Sequence, residues 1–387
     1  MPRTWFVLSI LMTVPAMAVR LTGTHIAPTL EAALFGLAIL GAAFMLSWAA
    51  EVAQMDIAQS LAVAILALIA VLPEYAVDLY FAWMAAKDPT YGHYATANMT
   101  GANRLLVGFG WPVIVLIAWM RSRSKFIGVK LEQSHRTEVA FLGLATVYSI
   151  WIPIKGRLDL FDMFFLLLIF TGYVVRISGV AHHEPELLGP AKWVGEMPVL
   201  RRRTMAILMF VFSGAVIFLS AERFAESLVA AGKGWGIDEF LLVQWLAPLA
   251  SEAPEFIVAA IWTWRGDAEA GLGALVSSKV NQWTLLVGTI PLVYSISLGH
   301  IGSLALDTVQ KHELWLTSAQ SLFAVAILAN LSLAWYGAGL LLVLFLAQLV
   351  YPDIRMEVSA IYVALALLVF VRDRRHLPAV LRAIYKS

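Results

Sequence analysis

Glu74 and Glu255 each directly follow a proline inside an apolar stretch, in Leu72-Pro73-Glu74-Tyr75-Ala76-Val77 and in Ala253-Pro254-Glu255-Phe256-Ile257-Val258. A carboxylate in mid-membrane is costly and needs a partner or a cavity. The proline before it removes a backbone N–H and disfavours helix at the preceding residue. A helix break is therefore expected at each Pro-Glu, freeing carbonyl oxygens beside the carboxylate. Hard cations such as calcium or sodium take that kind of oxygen shell. Asp78 follows Glu74 by four residues and Glu252 precedes Glu255 by three, so each pair shares a helix face. Ser251 adds a hydroxyl. A lone Pro-Glu commonly just opens a helix; the signal here is its repetition.

A small polar stretch follows each block. It reads Ala97-Asn98-Met99-Thr100-Gly101-Ala102-Asn103 in the first and Gly273-Ala274-Leu275-Val276-Ser277-Ser278-Lys279 in the second, with Gln282 a turn later. Both continue into Leu-Leu-Val-Gly, at 105–108 and 285–288, and then a proline, Pro112 or Pro291. Small residues let helices approach closely, and Asn98, Asn103, Ser278 and Gln282 offer oxygens. Two bases enter the same stretches. Lys279 reads either as a buried counter-ion to the carboxylates or as a side chain snorkelling to the interface. Arg104 reads as a structural partner of Asp78 or Glu74, or as a group taking part in coupling.

These residues need a lipid setting. Of 387 residues, 60% are hydrophobic and 14% charged, against about 25% charged in soluble domains. One soluble core cannot hide that much apolar surface. The hydrocarbon layer takes about 20 apolar residues per helix. On that ruler spans fall near 4–20, 29–50, 57–86, 95–120, 137–154, 159–178, 204–231, 238–265, 270–298, 314–334, 336–351 and 356–371, the joint at 334–338 resting on Tyr336-Gly337. Residues 4–20 read as a first membrane helix; a secretory signal ending at Pro15-Ala16-Met17-Ala18 is the alternative.

Basic residues set the orientation. Arg3, Arg121, Arg123, Lys125, Lys130, Arg136, Lys192, Arg201, Arg202, Arg203, Arg265 and the tail's Arg372, Arg374, Arg375, Arg382 and Lys386 lie on the side of the termini. The other side has Arg20, Lys87, Lys155, Arg157, Lys233, Lys311 and Arg355. Both termini are therefore expected in the cytoplasm, in the cell (inner) membrane. The helix with Glu74 then runs outward and the helix with Glu255 inward. Related segments of opposite sense are the plan of many secondary transporters, with the site at the midplane. The expected fold is all-α and polytopic: an extra helix in 1–28, a first repeat in 29–180, a cytoplasmic linker in 181–203, an inverted repeat in 204–351, and an extra helix with a basic tail in 352–387.

Other features read more plainly. With no cysteine and a net charge of +1, disulfides and thiolate sites are excluded and nucleic acid is no expected partner. No Walker loop, dinucleotide fingerprint or His-Glu-x-x-His occurs. His182-His183-Glu184-Pro185-Glu186 reads as a solvated loop. Arg201-Arg202-Arg203 reads as an anchor with some anionic-lipid contact. Glu222 and Glu226 read as a hydrated helix end or an outer vestibule. The 14 tryptophans suit interfacial belts.

At the Pro-Glu blocks the sequence resembles the cation/calcium exchanger superfamily, which includes the sodium/calcium exchangers. Its repeat motif is Gly-Thr-Ser-x-Pro-Glu, followed in the next helix by Gly-Ser-Asn and a further Asn or Asp. Ser251-Glu252-Ala253-Pro254-Glu255 stands for Thr-Ser-x-Pro-Glu, with Glu252 replacing serine. Ala70-Val71-Leu72-Pro73-Glu74 keeps only Pro-Glu. Ser277-Ser278-Lys279 and Gly101-Ala102-Asn103 stand for Gly-Ser-Asn, with Gln282 and Leu106 at the later position; a register four residues away puts Asn98 on the serine. The resemblance implies ten core helices in two inverted halves of five and outer helices that slide over a fixed core. It implies Glu74 and Glu255 as the metal-binding carboxylates, completed by Asp78, Ser251, Glu252, Asn98, Asn103, Ser278 and Gln282. The family's sodium shell does not carry over. Lys279 then holds one monovalent-cation position, and protons replace sodium in coupling. The expected function is secondary antiport of calcium, sodium or protons, with no resident cofactor, no enzymatic step, and lipid and the carried cation as partners. The rival readings are a proton-coupled carrier of some other cation, an intramembrane acid–base enzyme, and a non-transporting scaffold or sensor.

Overall fold

The computed structural model describes residues 2–24, 26–56, 72–122, 126–178, 187, 189–236 and 238–385. The loop 182–186, Arg123, Lys125 and the first part of the stretch 57–86 lie outside them. The helices are α1 (Pro2–Thr22), α2 (Pro28–Ala53), α3 (Leu72–Ala85), α4 (Thr90–Arg121), α5 (Gln133–Lys155) and α6 (Leu160–Ile177). After a short α7 (Gly189–Gly195) come α8 (Val199–Trp235), α9 (Glu239–Arg265) and α10, which runs from Ala268 to Leu298. The last are α11 (Thr308–Leu328), α12 (Trp335–Val350), α13 (Arg355–Arg372) and a short α14 (Leu377–Arg382). Among the described residues a helix lies in each stretch expected from hydropathy. Among the described residues seven helices are long and apolar enough to cross a bilayer. Their outward faces are apolar, as with Phe218 (79% exposed) and Leu168 (56%). Lipid tolerates such faces and water does not.

The chain gathers into two compact units, each drawing on both halves of the sequence: Met1–Phe81 with Ala181–Pro254, and Ala82–Val180 with Glu255–Ser387.

In the first unit α8 lies along α2, and α1 packs on α2. Small residues on α2 permit this; a side chain at Gly36 would meet the Phe224 ring. Met45, Trp48, Ala49 and Val52 form a core with Ala191, Val194, Ala206 and Met209. Arg20 on α1 pairs with Glu222 at 2.7 Å, and Arg223 pairs with Glu31 at 3.1 Å. Tyr80 donates to Glu226 at 2.7 Å. Glu222 and Glu226 thus hold helices together at this end, more than the hydrated end or vestibule the sequence suggested. At the other end Arg202 grips Asp56 with two hydrogen bonds (2.9 and 2.7 Å), and Arg203 adds a third at 3.1 Å. The arginine cluster therefore clamps the turn after α2.

Hydrogen bonding by Arg202 is the largest influence on Asp56 and holds its carboxyl below the usual range. The clamp then stabilises the fold above the unfolded aspartate value of about 3.9 and is lost as pH falls through the lower folded value. Asp56→Asn is expected to remove that acid-side loss from the melting temperature measured against pH. An unchanged acid limb would show that the clamp contributes nothing.

The second unit shows the inversion directly. Strand β1 (Gly128–Lys130), after α4, pairs antiparallel with β4 (Ser332–Ala334), before α12. Strand β2 (Arg157–Leu158), between α5 and α6, pairs with β3 (Leu304–Ala305), between α10 and α11. Exchanging the two halves turns one pairing into the other at the opposite end of the helices. The β4 pairing also corrects the joint near 334–338. Helix α11 stops at Leu328, Leu331 takes φ +58°, and the chain leaves as a strand, while Gly337 lies inside α12. An apolar strand carries no hydropathy break. Capping boxes fix two starts: Asp159 with Asp162 on α6, and Asp307 with Gln310 on α11.

Candidate functional site

The first unit holds Glu74, Asp78, Ser251 and Glu252. Glu74 (1% exposed), Asp78 (0%) and Glu252 (2%) are buried. Glu74 and Asp78 stand one turn apart on α3, which is described from Leu72, leaving Ala70 and Val71 outside. The Ser251 hydroxyl donates to Ala247 O (3.2 Å) and Pro248 O (3.3 Å) of its own helix. Helix α9 corrects the expected break: it runs from Glu239 to Arg265 straight through Pro248 and Pro254. Each proline only deletes the N–H that would bond four residues back. The helix does not unwind at either proline, because flanking turns and packing hold the rest of it.

The second unit holds Asn98, Asn103, Arg104, Glu255, Ser278, Lys279 and Gln282. All are buried except Glu255, which is half-buried. Helices α4 and α10 each contain one π-helical segment, Leu106–Gly110 and Gln282–Leu286. Such bulges shift a helix face and favour functional positions. They lie at the same 176-residue offset that separates Asn103 from Lys279, and these two residues meet. The Lys279 ammonium donates to Asn103 Oδ1 at 2.7 Å and to Asn103 O at 3.4 Å. It also sits 4.5 Å from the centre of the Trp283 ring. Lys279 is 0% exposed, which rules out snorkelling to the interface. Asn103 Nδ2 donates to Met99 O at 2.8 Å, so the amide is fixed with its oxygen toward the lysine. Trp283 Nε1 donates to Ser149 Oγ (3.2 Å), which shares a hydrogen bond with Ser318 (2.8 Å). Ser278 Oγ makes no hydrogen bond among the described residues.

Arg104 finds a partner that sequence reasoning missed. It forms an ion pair with Glu313 on α11, and Nη1 donates to Gln348 on α12 at 2.9 Å. Arg355, the first residue of α13, reaches the same Glu313 carboxylate. The sequence signal was there: the capping box at Asp307 and Gln310 starts α11 before Glu313, whereas hydropathy began that span at 314. Among the described residues no three His, Asp or Glu side chains gather as they would for a resident metal.

Two mirrored sets of apolar helices, each with a Pro-Glu and a π-segment, are the plan of an inverted-repeat membrane transporter. The chain matches the profile of the sodium/calcium exchanger protein family over residues 29–179 and 205–352, and it belongs to that family. It is similar to the H+/Ca2+ exchanger CAX, whose crystal structure is 42% identical with a TM-score of 0.95 over 99% of this chain and 97% of that one. The Ca2+/H+ antiporter protein YfkE shares the fold, at 15% identity and a TM-score of 0.64 over 95% and 99% of the two chains. The putative antiporter CaxA of Alkalimonas amylolytica is 27% identical over 147 residues. That match takes in 37% of this chain and spans 44% of the relative's length.

Proposed function

We propose that the protein exchanges a divalent cation, calcium first among candidates, for protons across a cell membrane. The observation that carries this reading is the buried Lys279 ammonium on the amide and carbonyl oxygens of Asn103. Those oxygens would otherwise suit a monovalent metal cation. A fixed ammonium there repels sodium, and buried charges feel little screening. Protons need no such shell, only carboxylates. Glu74 and Glu255 are the groups that bind cation or proton in turn. Asp78, Glu252, Ser251, Asn98, Ser278 and Gln282 tune them. Similarity to the H+/Ca2+ exchanger CAX along nearly the whole chain supports the same coupling. A scaffold reading is disfavoured, since Glu74, Asp78 and Glu252 are buried, and each such charge costs about 2.5–3.5 kcal/mol to insert. Both termini face the cytoplasm in this reading, and no covalent step is involved.

The test is flux into liposomes holding the purified protein. A pH gradient alone is expected to drive calcium uptake, and a sodium gradient alone to leave it at background. Uptake driven by sodium and indifferent to pH would overturn the proposal.

A further inference from the structure

Helix α13 lies beyond the part of the chain that matches the family profile, which ends at residue 352. Its first residue, Arg355, is only 15% exposed and points inward to a carboxylate that is fully buried. That carboxylate, Glu313, also holds Arg104, and Arg104 is itself 1% exposed. Gln348 fixes the other side of the guanidinium at 2.9 Å, with its own Nε2 donating to Phe345 O at 3.0 Å. Arg104 adjoins Asn103 in the chain, and the π-segment of α4 begins two residues later, at Leu106. Helices α11 and α12 therefore grip α4 at the turn that presents Asn103 to Lys279, and α13 reaches the α11 carboxylate that does so. All of these residues belong to the second unit.

We propose that Glu313 and Arg355 are positioning residues for cation exchange, acting through Arg104 to set the rotation of α4 and so the seat of Lys279 on Asn103. The inference rests on the function proposed above. Its physical basis is geometric. A guanidinium held by a carboxylate on one side and an amide on the other resists rotation about the helix axis more than a single contact does. A π-segment is the place in a helix where such rotation is easiest, because its hydrogen-bond ladder is already shifted. Arg355 keeps the shared carboxylate in place. Without it Glu313 still pairs with Arg104, but the carboxylate is free to turn and α4 with it. The seat of the ammonium then loosens, and with it the discrimination against sodium.

Arg355→Met is the variant of choice, since it keeps the stem packed and leaves the buried Arg104–Glu313 pair intact. Calcium uptake driven by a pH gradient is measured in liposomes at several calcium concentrations, with and without sodium, next to thermal unfolding of the same preparation. The expected result is an apparent KM raised by roughly twofold to thirtyfold, together with inhibition by sodium that the unmodified protein lacks. Arg355→Lys, which keeps the charge without the planar fork, is expected to restore the values in part. A lowered melting temperature with unchanged KM and no sodium effect would make the contact merely structural and overturn the inference. If Arg355→Met fails to fold, Arg355→Lys is read by the same two criteria, and unchanged values there overturn it equally. Absence of pH-driven uptake by the unmodified protein would instead be a failure of the proposed function, visible before any variant is compared.

Discussion

Glu255→Gln is expected to reduce pH-driven calcium uptake by at least about a hundredfold while leaving the folded protein intact, and Glu74→Gln to do the same. Glutamine keeps the volume and one carbonyl oxygen but cannot ionise or carry a transferable proton. A divalent cation loses a charged ligand, and a hard cation's affinity depends on ligand charge. The exchange step also loses its proton carrier. Each effect alone is worth several kcal/mol, and a factor of ten is about 1.4 kcal/mol, so the product falls below detection. Stability is expected to hold or rise, because an amide in place of the buried Glu74 or half-buried Glu255 carboxylate removes a charge that is partly or wholly desolvated. That combination separates a transport role from a structural one. Uptake within about threefold of the unmodified protein in either variant would remove that glutamate from the mechanism.

The second large effect is on stability. Glu313→Ala is expected to cost about 3–5 kcal/mol, because it strands two guanidiniums, Arg104 and Arg355, against a space that held their shared carboxylate. Replacing all three together, with Arg104→Met, Glu313→Leu and Arg355→Leu, is expected to cost less than the single change. An apolar cluster leaves no buried charge unpaired. Denaturant unfolding in detergent measures both. A single-variant loss below about 1 kcal/mol, or a triple variant worse than the single one, would show that the carboxylate does not hold the two arginines as described. The geometry has a clear reason to matter here. Glu313 is fully buried, so water cannot replace it, whereas the exposed Arg203 loses little when its contact to Asp56 goes.

Much of this was legible in the sequence, and particular residues show why. Apolar runs near the length of the hydrocarbon layer marked the helices, because no other backbone form satisfies its own hydrogen bonds in lipid. The repetition of Pro-Glu, with its trailing small residues, marked the two halves and the carboxylates at Glu74 and Glu255. What hydropathy could not see was anything shorter or more local. The strand Ser332–Ala334 is as apolar as the helix before it, so the end of α11 passed unnoticed. Pro254 was expected to break α9 because local propensity says so, yet tertiary packing carried the helix through it.

The sequence by itself determined the solvent, the helices, the mirrored halves, the resemblance to the exchanger family and the repeated Pro-Glu on which the proposed chemistry rests. These follow from composition and spacing, which act over a few turns of one segment. The tertiary structure alone decided partners. It set Lys279 on Asn103, Arg104 on Glu313 and Gln348, Arg355 on the same Glu313 carboxylate and Arg20 on Glu222, across separations of 42 to 244 residues. A buried charge must find an opposite charge or a dipole, but which one it finds depends on how whole helices pack, and no single stretch of sequence contains that information.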